Sequence, residues 1–208
     1  MTDRMHFEGS FELEGSDTET VWLALSDPVL VQNALPGCSF LLEVSDSDPD
    51  FEELREQSED IDWQVTDDPE TIAERAFEES GQYAALMEVG VGAVKPSFKT
   101  VVTISEREFP SMTAEGTGDA SNSSFDMEAW MELSESDDGV VVEWSADADV
   151  FGRVAQMGQR MINPVTNRLV KRFFGNLQEE LDQFGVEETD SAASDEGLTS
   201  GIRSRLGL

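Results

Sequence analysis

A single long helical pattern follows a run of period-two segments, and that pairing limits this chain more than any other feature. Residues 153–184 place Ile162, Val165, Leu169, Phe173, Leu177, Leu181 and Phe184 on one apolar arc at helical spacing, opposite Arg160, Arg168 and Lys171. Upstream, from Gly81, the segments QYAALMEVGVG, SFKTVVTISE, SMTAEGTGDA, SSFDMEAWMEL and GVVVEWSADADV each alternate. Lys95-Pro96, Phe109-Pro110 and Asp137-Asp138-Gly139 are turn signals between them that suit antiparallel hairpins. One face of these strands carries Met87, Val89, Val91, Phe98, Val102, Ile104, Phe125, Met127, Met131, Val142 and Trp144. The other carries Glu88, Lys99, Thr103, Glu115, Asp126, Glu128, Glu143 and Asp147. A sheet wet on one side needs a cover on the other, and the long helix supplies it.

The N-terminal third adds two strands and two short helices. Residues 6–14 alternate, with Phe7, Phe11 and Leu13 on one face and His6, Glu8, Ser10 and Glu12 on the other. Ser16 or Asp17 can cap a helix carrying Val21, Trp22 and Leu25, which Asp27-Pro28 stops. A second short helix, DPVLVQNAL, starts at Pro28 and ends at Pro36-Gly37, and SFLLEV then reads as a strand. Residues 46–80 change composition abruptly, with fifteen acids against Arg55 and Arg75, and read as an acidic insertion that is partly helical around 70–79. The expected class is α+β: about seven antiparallel strands in a curved sheet gripping one long C-terminal helix. Residues 1–185 are expected to form one domain. Residues 186–208 read as an acidic linker with a short basic amphipathic tail.

Within the long pattern Met157 and Met161 fall beside the cations, which predicts a kink or restart at Asn163-Pro164 so that both halves face the sheet.

Charge narrows the function classes. With 45 Asp and Glu against 13 Lys and Arg, the formal net charge is -32. Such self-repulsion suits a disordered acidic chain or a folded one in concentrated salt, where the Debye length falls to about 3 Å at 1 M. Twelve Phe and four Trp favour the folded reading, as in halophilic archaeal proteins. A nucleic-acid partner is disfavoured because phosphates would be repelled. Cys38 is the only cysteine and His6 the only histidine, so a disulfide, a multi-cysteine metal site and a histidine triad have nothing to build from. Cys38 reads as a buried small thiol. Gly90 and Gly92 lack the helix and lysine of a phosphate loop. MTDRMHFEGS has no signal-peptide core and no segment approaches about 18 apolar residues, so the expected location is the cytoplasm.

Strand, two short helices, a long antiparallel meander and one long helix is the order of the helix-grip, or START-like SRPBCC, fold. More specifically, FEGSFELEGSDTETVWLALSDP, the turn LPGC at Leu35 to Cys38, YAALMEVGVGAVKPSF at 83–98 and WSADADVFGRVAQMGQRMI from Trp144 resemble the G-subunit family of carbon monoxide dehydrogenase over roughly residues 5–184. The resemblance implies a non-enzymatic accessory protein to an aerobic molybdenum-containing carbon monoxide dehydrogenase or related hydroxylase. It further implies a carrier of a quinone-like lipid that helps the enzyme meet the inner face of the membrane, with no covalent cofactor.

The methionines admit two readings, an adaptable pocket or a solid core filled by flexible side chains, and the resemblance favours the pocket. Its candidate lining is Met87, Val89, Val91, Phe98, Val102, Phe125, Met127, Met131, Trp144, Met157, Met161, Val165, Leu169 and Phe173. Docking candidates form two groups. Residues 153–172 hold Arg153, Arg160, Arg168, Lys171 and Arg172 with no acid, which suits an acidic partner, anionic headgroups or a merely solvated face. In the tail, Leu198, Ile202 and Leu206 recur at helical spacing beside Arg203 and Arg205. A recruiter acting through that tail, and a cyclase or hydrolase of the same fold, are the alternatives to the carrier.

Overall fold

The computed structural model describes residues 3–61, 64–90, 93 and 95–187. Strand β1 (Asp3–Glu14) turns at Gly15, whose φ of 73° favours glycine, into α1 (Thr18–Ser26). Asp17 caps α1 by accepting from the Thr20 amide. Asp27 ends α1 in extended backbone and at once caps α2 (Pro28–Ala34), accepting from the Val29 amide ahead of Pro28. The chain continues through β2 (Cys38–Val44), α3 (Phe51–Glu59), α4 (Pro69–Arg75), β3 (Gln82–Glu88) and β4 (Ser97–Glu108). It then runs through β5 (Ser111–Ala120), β6 (Ser123–Glu135), β7 (Gly139–Gly152), a short 3-10 turn (Ala155–Met157) and α5 (Gln159–Glu187).

The seven strands form one antiparallel sheet in the order β1-β7-β6-β5-β4-β3-β2. Strands β1 and β2 are therefore its two edges although they are neighbours in sequence, and α1 and α2 carry the chain between them. Helix α5 is fastened at that end. Phe11 of β1 stacks on Phe174 at 5.1 Å, the Asn176 amide donates to the Ala34 carbonyl at 2.9 Å, and Gln178 accepts from the Glu14 amide at 2.8 Å while donating to the Glu14 carbonyl at 3.1 Å. This is the helix-grip class expected from the pattern.

Three local expectations change. The restart of the last helix lies at Gly158 (φ 72°), not at Asn163-Pro164, and Pro164 sits inside α5 on its exposed side. Glycine reaches that left-handed backbone at little cost, whereas a proline near a helix start sacrifices few bonds. The described residues of 46–80 are built into the body of the fold. Leu54 of α3 packs with Phe40 and Ala84 on the outer face of β2 and β3, while Ile72 and Phe77 join the main core. Their acidic surroundings obscured α3, which Asp50 caps and whose first turn carries Glu52 and Glu53. Strand β3 also ends at Glu88, four residues before the expected Gly92.

Candidate functional site

The inner face of the sheet is read from its register. One cross-strand row runs Phe7, Ala146, Ala129, Ala114, Ile104, and the next runs Met5, Ala148, Met127, Gly116, Val102, Tyr83. Small side chains thus form the middle of the floor. Two closed cores flank it. The larger, at the α1 and α2 end, includes Leu13, Trp22, Leu30, Val142, Phe174 and Leu177. The smaller, where α5 begins, joins Met5, Phe98, Val150, Val154 and Ile162.

Between these cores, Met127, Ala129, Ala146, Val165 and Leu169 are half-buried and belong to neither. Val102, Met131, Trp144 and Phe173 rim the larger core, Val89 and Phe125 the smaller, and Met87 touches both. The result is an apolar strip, reached by solvent, between the sheet and α5. The sequence-predicted residues Met87, Val102, Met127, Met131, Trp144, Val165, Leu169 and Phe173 border it. Phe98 is instead buried in the smaller core, and Met157 lies half-buried in the 3-10 turn. Met161 is 46% exposed, which removes it from the enclosed lining: α5 runs unbroken from Gln159, so Met161 keeps the helical phase that sets it beside Arg168 and Arg172 on the outer side. Val91, Leu198, Ile202, Arg203, Arg205 and Leu206 lie outside the described residues.

The alanines and glycines of the floor escape a sequence reading weighted toward large apolar residues. Their signal is the alternation in SMTAEGTGDA, which puts Ala114, Gly116 and Gly118 on the inward register. Two neighbouring glycines carry aromatic rings instead of open space: a Cβ on Gly9 would lie 3.2 Å from the Trp144 indole, and one on Gly118 would lie 2.3 Å from the Phe125 ring.

Polar groups on this side are few. A register shift after Ile104 turns Arg107 inward, where Nη2 donates to Ser26 Oγ at 3.0 Å and the guanidinium lies 5.2 Å from the Trp22 ring; burial holds its pKa below the usual arginine value. The Tyr83 hydroxyl accepts from the Glu78 amide at 2.9 Å, and burial raises its pKa. Cys38 Sγ donates to the Phe40 carbonyl at 3.2 Å, and burial pushes the thiol up to about 12, which keeps it protonated and poorly nucleophilic. Among the described residues no group of three or more His, Cys, Asp or Glu is placed to hold a metal ion.

The outer face has a depression of about 480 Å³, bordered by Glu115, Thr117, Asp126, Glu128, Asp147 and Asp149. Glu115, Glu128 and Asp147 stand directly opposite one another across three strands, so the depression is strongly anionic and unsuited to an apolar ligand. His6 lies at its edge, with Nδ1 3.1 Å from Asp147 and Nε2 3.5 Å from Glu8, and these hydrogen bonds, Asp147 first, raise its pKa. A raised folded-state value means the contact adds stability below the ordinary 6.5 and loses it as pH rises through the raised value. A proton NMR titration of this lone histidine is expected to give a midpoint above 6.5 that falls back in Asp147→Asn. An unmoved midpoint in that variant would contradict the pairing.

A curved antiparallel sheet closed over a C-terminal helix, with an apolar strip between, defines a START-like helix-grip protein. The chain is similar in fold to a START superfamily protein from Mycobacterium smegmatis (10% identity, 86% of this chain and 98% of that one, TM-score 0.51). It is likewise similar to the Zhui aromatase/cyclase from Streptomyces sp. R1128 (11%, 87% and 95%, TM-score 0.51) and a conserved protein from Geobacillus kaustophilus (23%, 86% and 96%, TM-score 0.65). At these identities the likeness shows the fold alone. The family profile of the carbon monoxide dehydrogenase G subunit (CoxG) matches residues 56–182, and the chain belongs to that family. The match begins inside α3, in keeping with the integration of residues 46–80. No curated protein matches the sequence.

Proposed function

We infer that the protein is a non-enzymatic accessory subunit that holds an isoprenoid quinone or lipid in the strip between the sheet and α5, and presents it to a molybdenum-type carbon monoxide dehydrogenase. The observation that carries this is the strip itself: Met127, Ala129, Ala146, Val165 and Leu169 remain half-buried between two buried cores and belong to neither. Covering such surface contributes about 25 cal/mol per Å² removed from water, and a polyprenyl or acyl chain is the apolar group shaped for a long narrow strip. The family's own name supports the enzyme partner.

Peripheral contact with a membrane is supported by the outer side of α5. Arg160, Arg168, Lys171 and Arg172 are exposed there around Met161, and Arg153 is exposed just before it. Among the described residues none of these five forms an ion pair, in a chain with 45 carboxylates. Unpaired cations around an exposed methionine suit anionic headgroups, each cation contributing about 1 kcal/mol near such a surface. Among the described residues no helix is long and apolar enough to cross a membrane.

Native mass spectrometry of the protein purified in high salt, followed by organic extraction, tests the carrier reading. A stoichiometric quinone or lipid is expected. Protein that arrives empty and takes up neither added menaquinone nor phospholipid would overturn it, and the docking face on α5 would then stand as the basis of a recruiter.

A further inference from the structure

Thr100 is 5% exposed, and its hydroxyl has no hydrogen-bond partner among the described residues. It sits on the inward register of β4, with Gly118 beside it on β5 and Ala85 on β3, in the row that continues to Phe125. Its neighbours along the strand on that face are Phe98 and Val102. A hydroxyl sealed among apolar groups without a partner is costly to keep, and a valine of the same shape would avoid the cost. Two other buried orphan atoms, Nε of Arg75 and Nε of Arg107, belong to guanidinium groups that already donate elsewhere. Thr100 has no such alternative.

The ring nearest this hydroxyl's row is identifiable from the register. The Phe125 ring fills the space left by the missing Cβ of Gly118, edge-on to Phe98 at 5.4 Å. Phe98 is only 7% exposed within the smaller core, whereas Phe125 is half-buried at its rim. We propose that Thr100 donates its hydroxyl hydrogen to a carbonyl oxygen on the head of the bound molecule, and that Phe125 is the movable ring that uncovers it. This rests on the carrier reading and adds polarity to it: the ligand is amphiphilic, with its carbonyl at Thr100 and its chain along the alanine floor toward Val165 and Leu169. An alkane would lack the group that repays exposure of the hydroxyl.

Fluorescence-quenching titrations with three probes of matched chain length test it: a prenylated naphthoquinone, a fatty acid methyl ester and a plain alkane. Thr100→Val is expected to keep or raise the melting temperature, to bind the alkane as wild type does, and to bind the carbonyl probes about tenfold more weakly. Thr100→Ser, which keeps the hydroxyl, should restore most of that loss. A loss confined to the naphthoquinone assigns a quinone head, and an equal loss for both carbonyl probes assigns carbonyl recognition in general. Phe125→Ala should speed association of the carbonyl probes, and an unchanged rate would remove Phe125 as the cover. If Thr100→Val binds every probe as wild type does, the proposal fails and the carrier reading survives. If wild type binds none of the three, both fail.

Discussion

Replacing Arg75 with methionine is expected to lower the stability of the fold by about 3 kcal/mol. The Arg75 guanidinium lies 2.6 Å from the carboxylate of Asp27, which is completely buried at the α1–α2 junction. Asp27 Oδ1 accepts from the Val29 amide at 3.0 Å, so the same carboxylate both caps α2 and answers a cation reaching over from α4. Removing the cation strands a charge in the interior, and that penalty exceeds what the pair itself contributes. The low end of the usual range applies because the Arg75 side chain keeps 27% of its exposure. The loss also reaches the segment just after α4, where Phe77 donates its amide to the Ser26 carbonyl at 2.8 Å and packs edge-on against Tyr83 at 4.7 Å. Equilibrium denaturation at fixed high salt would show the midpoint falling with the slope retained. Arg55→Met, on the exposed side of α3, is the control and should stay within about 0.5 kcal/mol of wild type. A drop below about 1 kcal/mol for Arg75→Met would mean that the Asp27 charge is carried by something else.

The second large effect is on ligand uptake. Ala129→Trp should leave the protein folded and reduce binding of a prenylated naphthoquinone at least a hundredfold, because the indole would occupy the strip in the ligand's place. Ala129 lies at the centre of the floor, flanked in register by Ala114 and Ala146, and solvent reaches all three. Tryptophan suits a strand, so the local backbone has no objection to the change. In a tightly packed interior the same substitution would cost about 1–3 kcal/mol through overpacking. The two readouts therefore separate the readings: lost binding with an unchanged melting temperature supports an open strip, while a large fall in melting temperature would show a filled core and contradict it.

What could be read from the sequence follows local periodicity. Alternation in β4 to β7, the apolar arc of α5, Asp17 as a cap and the Asp27-Pro28 break depend on residues within a few positions of one another, and each appears where the pattern places it. The helix-grip class follows from those elements in that order, since a one-sided sheet and one long amphipathic helix have few ways to bury each other. Other features depend on residues far apart in the chain. Arg75 meets Asp27 across 48 positions, and the acidic composition around it conceals a buried ion pair. The floor of the strip joins Ala114, Ala129 and Ala146 from three strands, and no stretch of sequence shows that their small side chains fall in one row. Met161 falls beside the cations on an unbroken helix, and because the restart comes before it, at Gly158, no kink after it turns it inward and it stays exposed. Thr100 looks ordinary in a strand, and its hydroxyl becomes notable only once the folded sheet buries it without a partner. Sequence by itself determined most of the strands and helices, α3 excepted, and which face each of those buries, because both depend on short-range backbone preference and hydrophobic period. Tertiary structure decided where space remains and which polar groups are left without partners, because both depend on how distant side chains divide one volume.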